Sequence, residues 1–452
     1  MSKDHAKPGE MKERFLNTCR VISGKQVMKQ HIRGEGPVCV FVSGILGTGE
    51  YSSFEHLLPY WGLFQGDLLK RLEEETGYEC YATSVGPLSS AWDRACELYA
   101  QLAGGRVDYG AAHSKERGHE RFGREYKPLF EGWSAERPVH FMAHSFGGAT
   151  ARLFAQLCAE GAQAERDATP AGELSPLFQG GMLDRILSMT CLACPHNGTT
   201  AIVSIQKGQP LWPFVPIYSI MSFIGTLPVL NGVYDMHLEQ FGLSNPAGQY
   251  RGNVLTQKKL RAFLRSRDHA TADLSLDGAA ELNRATPVRP ELIYFSFPCA
   301  LNMKQLRHGK RLIPLKELKN PVFGFWGLQI GMGMGFARRL VREEERTADR
   351  VKSSVEYDPL WLENDVVVPV ASARYPFGQP WEEYQEGEEI KPGIWHVMPV
   401  KYGVDHGYYC GWDPNNRDFE ELVGFYVKHI HLLEETCGAR AAAAAAPELT
   451  KN

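Results

Sequence analysis

Neither sign of charge dominates this chain of 452 residues: 49 Lys and Arg face 53 Asp and Glu, a formal net charge of -4. A basic nucleic-acid binder is therefore not expected. A disulfide framework is also missing. The 10 cysteines run from Cys19 to Cys437 without compact spacing, which reads as buried thiols in a reducing setting. The one Cys-x-x-Cys, Cys191 to Cys194, falls in an apolar run ending at Pro195. In a strand its two side chains would face opposite ways, which argues against a redox pair. Residues 1–14 are polar and charged with no apolar core, so no secretory signal is visible. The expected address is the cytoplasm, or outside the cell if a leader has been trimmed. Two stretches carry no charge, 208–234 and 320–337. Spanning a bilayer takes about 20 apolar residues. Pro210, Pro213, Pro216 and Pro228 break the first stretch, and Gly324, Gly327, Gly331, Gly333 and Gly335 the second. No transmembrane segment is expected; an apolar flap over a greasy site and a buried core helix both remain open for these stretches.

What is present suits a large globular core, with 43 % hydrophobic and 23 % charged residues. The first half alternates short β-like runs with helical patterns, the signature of an α/β fold with a mostly parallel central sheet and helices on both faces. Residues 38–42 read as a strand entering the glycine turn Gly44, Gly47, Gly49. Residues 68–75 read as a helix stopping at Gly77, and 78–85 as a strand. Trp92, Ala95, Cys96, Tyr99 and Leu102 form a helical stripe closed by Gly104-Gly105. Residues 139–143 form a strand running directly into Ser145. Near the end, Leu422, Tyr426, Ile430 and Leu433 mark a closing helix over 418–436, followed by an Ala-rich tail at 438–452 that is expected to be disordered.

Ala143-His144-Ser145-Phe146-Gly147-Gly148 lies between that strand and a helical stretch through Ala151, Leu153, Phe154 and Leu157. A serine on a tight strand-to-helix turn needs small residues two before and two after it. Its hydroxyl then projects at the helix N-terminus, where the dipole favours developing negative charge. This is a nucleophile elbow with Ala143 in place of the usual first glycine. A serine hydroxyl needs a general base, and in such folds the order is Ser, acid, His, so both partners should lie downstream. His406, in a loop after the apolar stretch 397–400, is the favoured base over His396, which reads as structural. Asp365, followed by Val366-Val367-Val368-Pro369, is the favoured acid over Asp358. Two backbone donors should form the oxyanion hole, one on Phe146 and one in the loop holding Gly44-Ile45.

The chain resembles a known family, the thermoalkalophilic bacterial lipases of the bacillus and staphylococcal type. The matching stretches are Val85-Gly86-Pro87-Leu88-Ser89-Ser90, Trp92-Asp93-Arg94-Ala95-Cys96-Glu97, Val107-Asp108-Tyr109-Gly110-Ala111-Ala112-His113, Gly118-His119, Arg121-Phe122-Gly123, Ala143-His144-Ser145, Pro195-His196-Asn197-Gly198-Thr199-Thr200, Trp361-Leu362-Glu363-Asn364-Asp365 and Val404-Asp405-His406. The resemblance implies an α/β-hydrolase domain over 34–437 behind an N-terminal extension, 1–33. It also implies an inserted zinc-binding subdomain at about 86–126 and a helical lid at about 202–250. Ser145 would be the nucleophile, Asp365 the orienting acid and His406 the base, with oxyanion donors on Ile45 and Phe146. Ser43-Gly44 stands where relatives have His-Gly. Structural zinc would be held by Asp93, His113, His119 and Asp273, two imidazoles and two carboxylates forming a closed four-coordinate site. The family's calcium site keeps Asp413-Pro414, but Tyr408 replaces one carboxylate ligand, so calcium is not expected.

The expectation is thus a triacylglycerol lipase-like serine hydrolase acting through an acyl-enzyme on hydrophobic esters, including those at a lipid-water interface. The alternatives are a carboxylesterase or polyesterase for short-chain or polymeric esters, and a non-catalytic zinc-binding protein of the same fold. Oligomeric state is not legible.

Overall fold

The computed structural model describes residues 38–51, 59–63, 65–199, 235–243, 254–301, 359–361, 363–412 and 419–445. The N-terminal extension, the charge-free stretches, Asp358, Asp413 and all of the expected lid except 235–243 lie outside them.

Eleven strands occur among the described residues: β1 (Val38–Val42), β2 (Glu79–Ala82), β3 (Gly105–Asp108), β4 (Phe122–Tyr126), β5 (Val139–His144), β6 (Ile186–Leu192), β7 (Ile293–Phe297), β8 (Cys299–Ala300), β9 (Trp381–Glu383), β10 (Trp395–Val397) and β11 (Lys401–Tyr402). Seven form one sheet in the order β2-β1-β5-β6-β7-β10-β9, and each neighbouring pair is parallel. β3 and β4 make a separate antiparallel ribbon, and β8 pairs with β11. Parallel strands need crossovers, and those crossovers cover both faces.

The strand period of two divides the core accordingly. Val38, Val40 and Val42 of β1 pack on one side with α2 (Ala91–Ala103) and α4 (Gly147–Glu160). Cys39 and Phe41 face the other side, against α1 (Leu68–Thr76) and α6 (Phe419–Ala445). Each fully buried aliphatic or aromatic side chain here is worth about 1.5–3 kcal/mol relative to exposure. The expected stripe Leu422, Tyr426, Ile430 and Leu433 is the buried face of α6. That helix continues through Ala445, where disorder was expected from 438. The reason is alanine itself, the strongest helix former, extending an existing helix without a new nucleation cost.

Two further expectations are corrected. Of the expected α2 stripe, Ala95, Cys96 and Leu102 are buried, yet Trp92 and Tyr99 are only partly so, while Asp93, Arg94, Glu97 and Gln101 are buried outright. Cys191 and Cys194 do not diverge, because Ala193 adopts φ 49° and ends the strand alternation. Both sulfurs lie against Gly148, and Cys194 donates its S–H to the carbonyl of Ala143. They remain free thiols.

Because β1 and β5 are parallel and in register, Val42 and Ala143 are paired neighbours at the same sheet edge. The chain leaving β1 therefore meets the chain leaving β5. Open α/β sheets place their chemistry at this carboxyl edge.

Candidate active site and metal cluster

Ser145 follows β5 directly and holds φ 55°, a left-handed backbone that costs a non-glycine residue energy and persists only where the surroundings enforce it. Its N–H donates to Leu192 O at 2.9 Å, and α4 begins at once behind it. Two glycines leave room for the turn. A Cβ on Gly147 would lie 2.3 Å from Val42 O, and one on Gly44 would lie 2.7 Å from the Cβ of Ser145.

Three groups distant in sequence converge here. Ser145 Oγ lies 2.9 Å from His406 Nε2, and His406 Nδ1 lies 2.7 Å from Asp365 Oδ2. Asp365 Oδ1 accepts from the amides of Val367 (2.9 Å) and Val368 (2.7 Å), and the carbonyl of Asp365 accepts from His406 N at 2.9 Å. An acceptor-only carboxylate fixes the proton on Nδ1, which leaves Nε2 free to accept from the serine. Val366, at φ 90°, bends the acid's loop so that both amides reach the carboxylate. The thiol of Cys299 adds a weaker contact at 3.6 Å.

The residues behind the serine complete the frame. His144 Nε2 donates to His406 O at 2.8 Å, so its Nδ1 must accept, and Tyr60 OH donates to it at 2.6 Å. Tyr60 in turn accepts from Gly44 N at 2.9 Å. Burial, with the nearby His406 adding to it, pushes the pKa of His144 well below the ordinary histidine value, which suits this neutral role. Among the described residues, neither the Ile45 nor the Phe146 amide donates to a protein acceptor. His396 lies in β10, with Nε2 on Lys391 O, far from this chemistry in its bonding.

A second cluster lies on the segment after β2. Asp93 is in the first turn of α2, His113 in α3 (Ala111–Arg117) and His119 just after it. The fourth member is Asp268, which follows α5 (Val254–Ser266) through Arg267 at φ 61°. One ligand atom from each lies within 4.8 Å of all the others. His113 Nε2 is 3.3 Å from Asp93 Oδ1 and 3.2 Å from Asp268 Oδ2; His119 Nε2 is 3.9 and 3.0 Å from the same atoms. Four bonds of about 2.0 Å at tetrahedral angles require edges near 3.3 Å. Asp93 Oδ1 and His119 Nε2 are also buried without a hydrogen-bond partner, so their lone pairs converge on a common point. This group can hold a metal ion.

Asp273, expected in the set, is not part of it. Its Oδ2 accepts from Ala91 N at 2.7 Å, so it caps the first turn of α2, whose amides have no partner within the helix. Full burial raises its pKa to about 7, against the lowering effect of that amide. Asp268 precedes a short helical turn and Asp273, five positions on, ends it, and spacing along the chain does not say which one faces the distant histidines.

Residues 35–315 and 348–439 match the family described as "Lipase-like, C-terminal domain". The chain belongs to this lipase-like family. It is 32 % identical over 406 residues to Lipase 1 of Staphylococcus aureus, covering 89 % of this chain and 55 % of that protein. The chain thus spans about half the length of the curated relatives it matches. The crystal structure of Staphylococcus hyicus lipase superposes with a TM-score of 0.72 at 30 % identity, covering 90 % of this chain and 97 % of that one. Lipase 1 from Pelosinus fermentans gives 0.65 at 30 %, covering 87 % and 98 %.

In this lipase-like chain the described part of the expected lid, 235–243, is tied to the cluster around Asp93 and His119. Arg124 of β4 binds Glu239 through two nitrogens and Asp235 through a third. Gln240 Nε2 donates to Asp93 Oδ2 at 2.8 Å, and Phe241 packs on the His119 ring. Sequence reasoning missed Asp268 in the cluster and Gln240 as the donor to Asp93. Among the described residues, no helix is long and apolar enough to cross a membrane.

Proposed function

We propose that this protein is a serine carboxylic ester hydrolase, triacylglycerol lipase-like, cleaving hydrophobic acyl esters at lipid-water interfaces. The observation that carries the reading is the continuous chain Ser145 Oγ, His406, Asp365, with contacts of 2.9 and 2.7 Å. His406 takes the serine proton as Oγ attacks the ester carbonyl. The amides of Ile45 and Phe146 stabilise the tetrahedral oxyanion. His406 then protonates the leaving alcohol, and an acyl-enzyme remains on Ser145. Water activated by the same imidazole releases the acid, while Asp365 holds the required tautomer throughout.

Zinc suits the second cluster, since two imidazoles and two carboxylates make a closed, neutral N/O site. Asp93, His113, His119 and Asp268 would hold it. The closed ligand set supports a structural ion, which would pin the segment 86–126 and, through Gln240 on Asp93, the chain at 235–243. It takes no part in the steps above.

The test is covalent. A fluorophosphonate should label Ser145 stoichiometrically, and Ser145→Ala should lose labelling and at least a thousand-fold, up to about a million-fold, of turnover on p-nitrophenyl esters while remaining folded. A panel of acyl esters of rising chain length, as monomers and as emulsions, reads the substrate class; retained hydrolysis by Ser145→Ala ends the proposal.

A further inference from the structure

The side chain that touches both halves of the oxyanion site is Arg94, in the first turn of α2, and it is fully buried. Its Nη2 donates to the carbonyl of Ser43, and its Nη1 to those of Gly44 (3.2 Å) and Gly86 (3.1 Å). Its Nε donates to Thr150 Oγ1 at 2.8 Å. Thr150 lies in α4 and returns a long hydrogen bond, 3.4 Å, to the carbonyl of Phe146. The guanidinium carbon also stands 5.0 Å from the centroid of the Phe146 ring.

The geometry of a trans peptide makes these contacts directional. In a planar trans unit, the C=O and the following N–H point opposite ways, and the chain has no cis bonds among its described residues. Holding Ser43 O on Arg94 therefore turns Gly44 N–H away from the guanidinium, where it is found on Tyr60 OH at 2.9 Å. By the same rule, holding Gly44 O on Arg94 turns Ile45 N–H away. Gly44 abuts the nucleophile, since a Cβ there would lie 3.1 Å from Ser145 Oγ. The second donor, Phe146 N–H, heads the helix whose first turn Arg94 grips through Thr150 and the aromatic ring.

We propose that Arg94 is the positioning residue of the oxyanion hole, orienting the Ile45 amide through the Gly44 carbonyl and the Phe146 amide through Thr150 and the Phe146 ring. The inference rests on the serine hydrolase reading above. A planar fork with several donors suits this task, whereas a lysine ammonium presents one compact centre and cannot reach the same acceptors in a fixed geometry. Arg94 acts on substrate only through backbone groups, so its loss should weaken transition-state binding far more than ground-state binding.

The experiment compares Arg94→Lys with the parent protein on p-nitrophenyl butyrate. Active serines are counted by endpoint titration with a fluorophosphonate, and affinity is measured for an alkyl trifluoromethyl ketone, whose serine adduct carries the oxyanion. The expected result is a fall of roughly 100-fold in kcat per titrated serine, with KM changed by no more than about three-fold. Affinity for the ketone should fall in the same proportion as kcat/KM, and the shape of the pH profile should not move. A value of kcat per titrated serine within about two-fold of the parent would overturn the proposal, since a merely structural arginine lowers the count of active sites and not the rate at each. Should Arg94→Lys fail to fold, Thr150→Val removes the Nε acceptor together with the long hydrogen bond to the Phe146 carbonyl and should lower kcat and ketone affinity together by a smaller factor, about five-fold; unchanged values there overturn the proposal equally. A parent protein that takes no fluorophosphonate label would remove the hydrolase reading itself, an outcome distinct from a labelled parent whose variants turn over normally.

Discussion

Histidine is handled in opposite ways at the two sites. Around the main sheet the imidazoles are buried among apolar groups and kept neutral: burial pushes His140 down to about 4 and His429 to about 3, and His144 and His196 well below the ordinary value. At the second cluster, burial works the same way on His113. The neighbouring carboxylates of Asp268 and Asp93 outweigh it and raise the pKa to about 9. In the first environment, at the catalytic site, His144 and His406 each have both ring nitrogens matched to a protein partner, which holds the proton relay in one tautomer. The second gathers acceptor-only carboxylates and imidazole nitrogens, two of whose atoms have no hydrogen-bond partner. One site is complete in protein atoms, and the other has a donor set that can hold a cation.

The largest test of that contrast strikes the catalytic site. Asp365→Asn keeps the shape but loses the acceptor that fixes His406 Nδ1–H, so kcat should fall on the order of 10,000-fold while the thermal midpoint stays within a few degrees. Val367 and Val368 would still donate to the remaining carbonyl oxygen. A fall of less than about ten-fold would mean that the tautomer is fixed by something other than Asp365.

The next test separates Asp268 from Asp273. Elemental analysis should find about one zinc per chain in the parent and in Asp273→Asn, and none in Asp268→Asn. A metal held at 1,000 times its Kd contributes about 4 kcal/mol through linkage, so a chelator should lower Tm by several degrees in the parent and in Asp273→Asn but not in Asp268→Asn. Asp273→Asn still offers an oxygen to Ala91 N and should be nearly neutral at pH 7, because burial already disfavours the charge of this carboxyl. Zinc retained by Asp268→Asn and lost from Asp273→Asn would reverse the assignment.

These two aspartates also mark where sequence stops being legible. The elbow could be read because strand, serine and helix are contiguous and because a tight turn permits only small residues around it. His406 and Asp365 followed from chain order and from the loops they occupy, and the structure brings both to Ser145. Resemblance supplied a ligand set of the correct chemistry, but Asp268 and Asp273 are equivalent to any rule based on spacing; the choice shows only in three dimensions, where Asp268, just after the left-handed Arg267, meets the histidines and Asp273 meets Ala91 N. The polar face of α2 was harder still. Asp93, Arg94, Glu97 and Gln101 look like a solvated stripe, yet Glu97 accepts from Gly86 N and Tyr109 OH, and Gln101 pairs with both the N–H and the carbonyl of Ser84. Periodicity reports that two faces differ; it does not report that the polar one is also inside. The loops that a buried polar face must satisfy come from elsewhere in the chain, so no local signal identifies them.

The smallest expected effect concerns the neutral histidines. His140 has a pKa of about 4 in the folded protein against an ordinary 6.5, with its Nδ1 2.7 Å from Ser188 Oγ. Above pH 6.5 both folded and unfolded forms are neutral here, and the group contributes no pH dependence. As pH falls below 6.5, the unfolded chain takes up a proton that the folded one refuses, so stability declines until about pH 4. At 1.36 kcal/mol per pKa unit the loss from this one residue approaches roughly 3 kcal/mol at the acid end. His140→Gln retains a polar side chain without titrating. Denaturant midpoints measured from pH 7 to pH 4 should therefore fall less steeply in the variant, the two curves diverging only below pH 6.5. Parallel curves would mean that His140 is solvated enough to charge in the folded protein, and the contrast with His113 would then lie in their partners alone and not in burial.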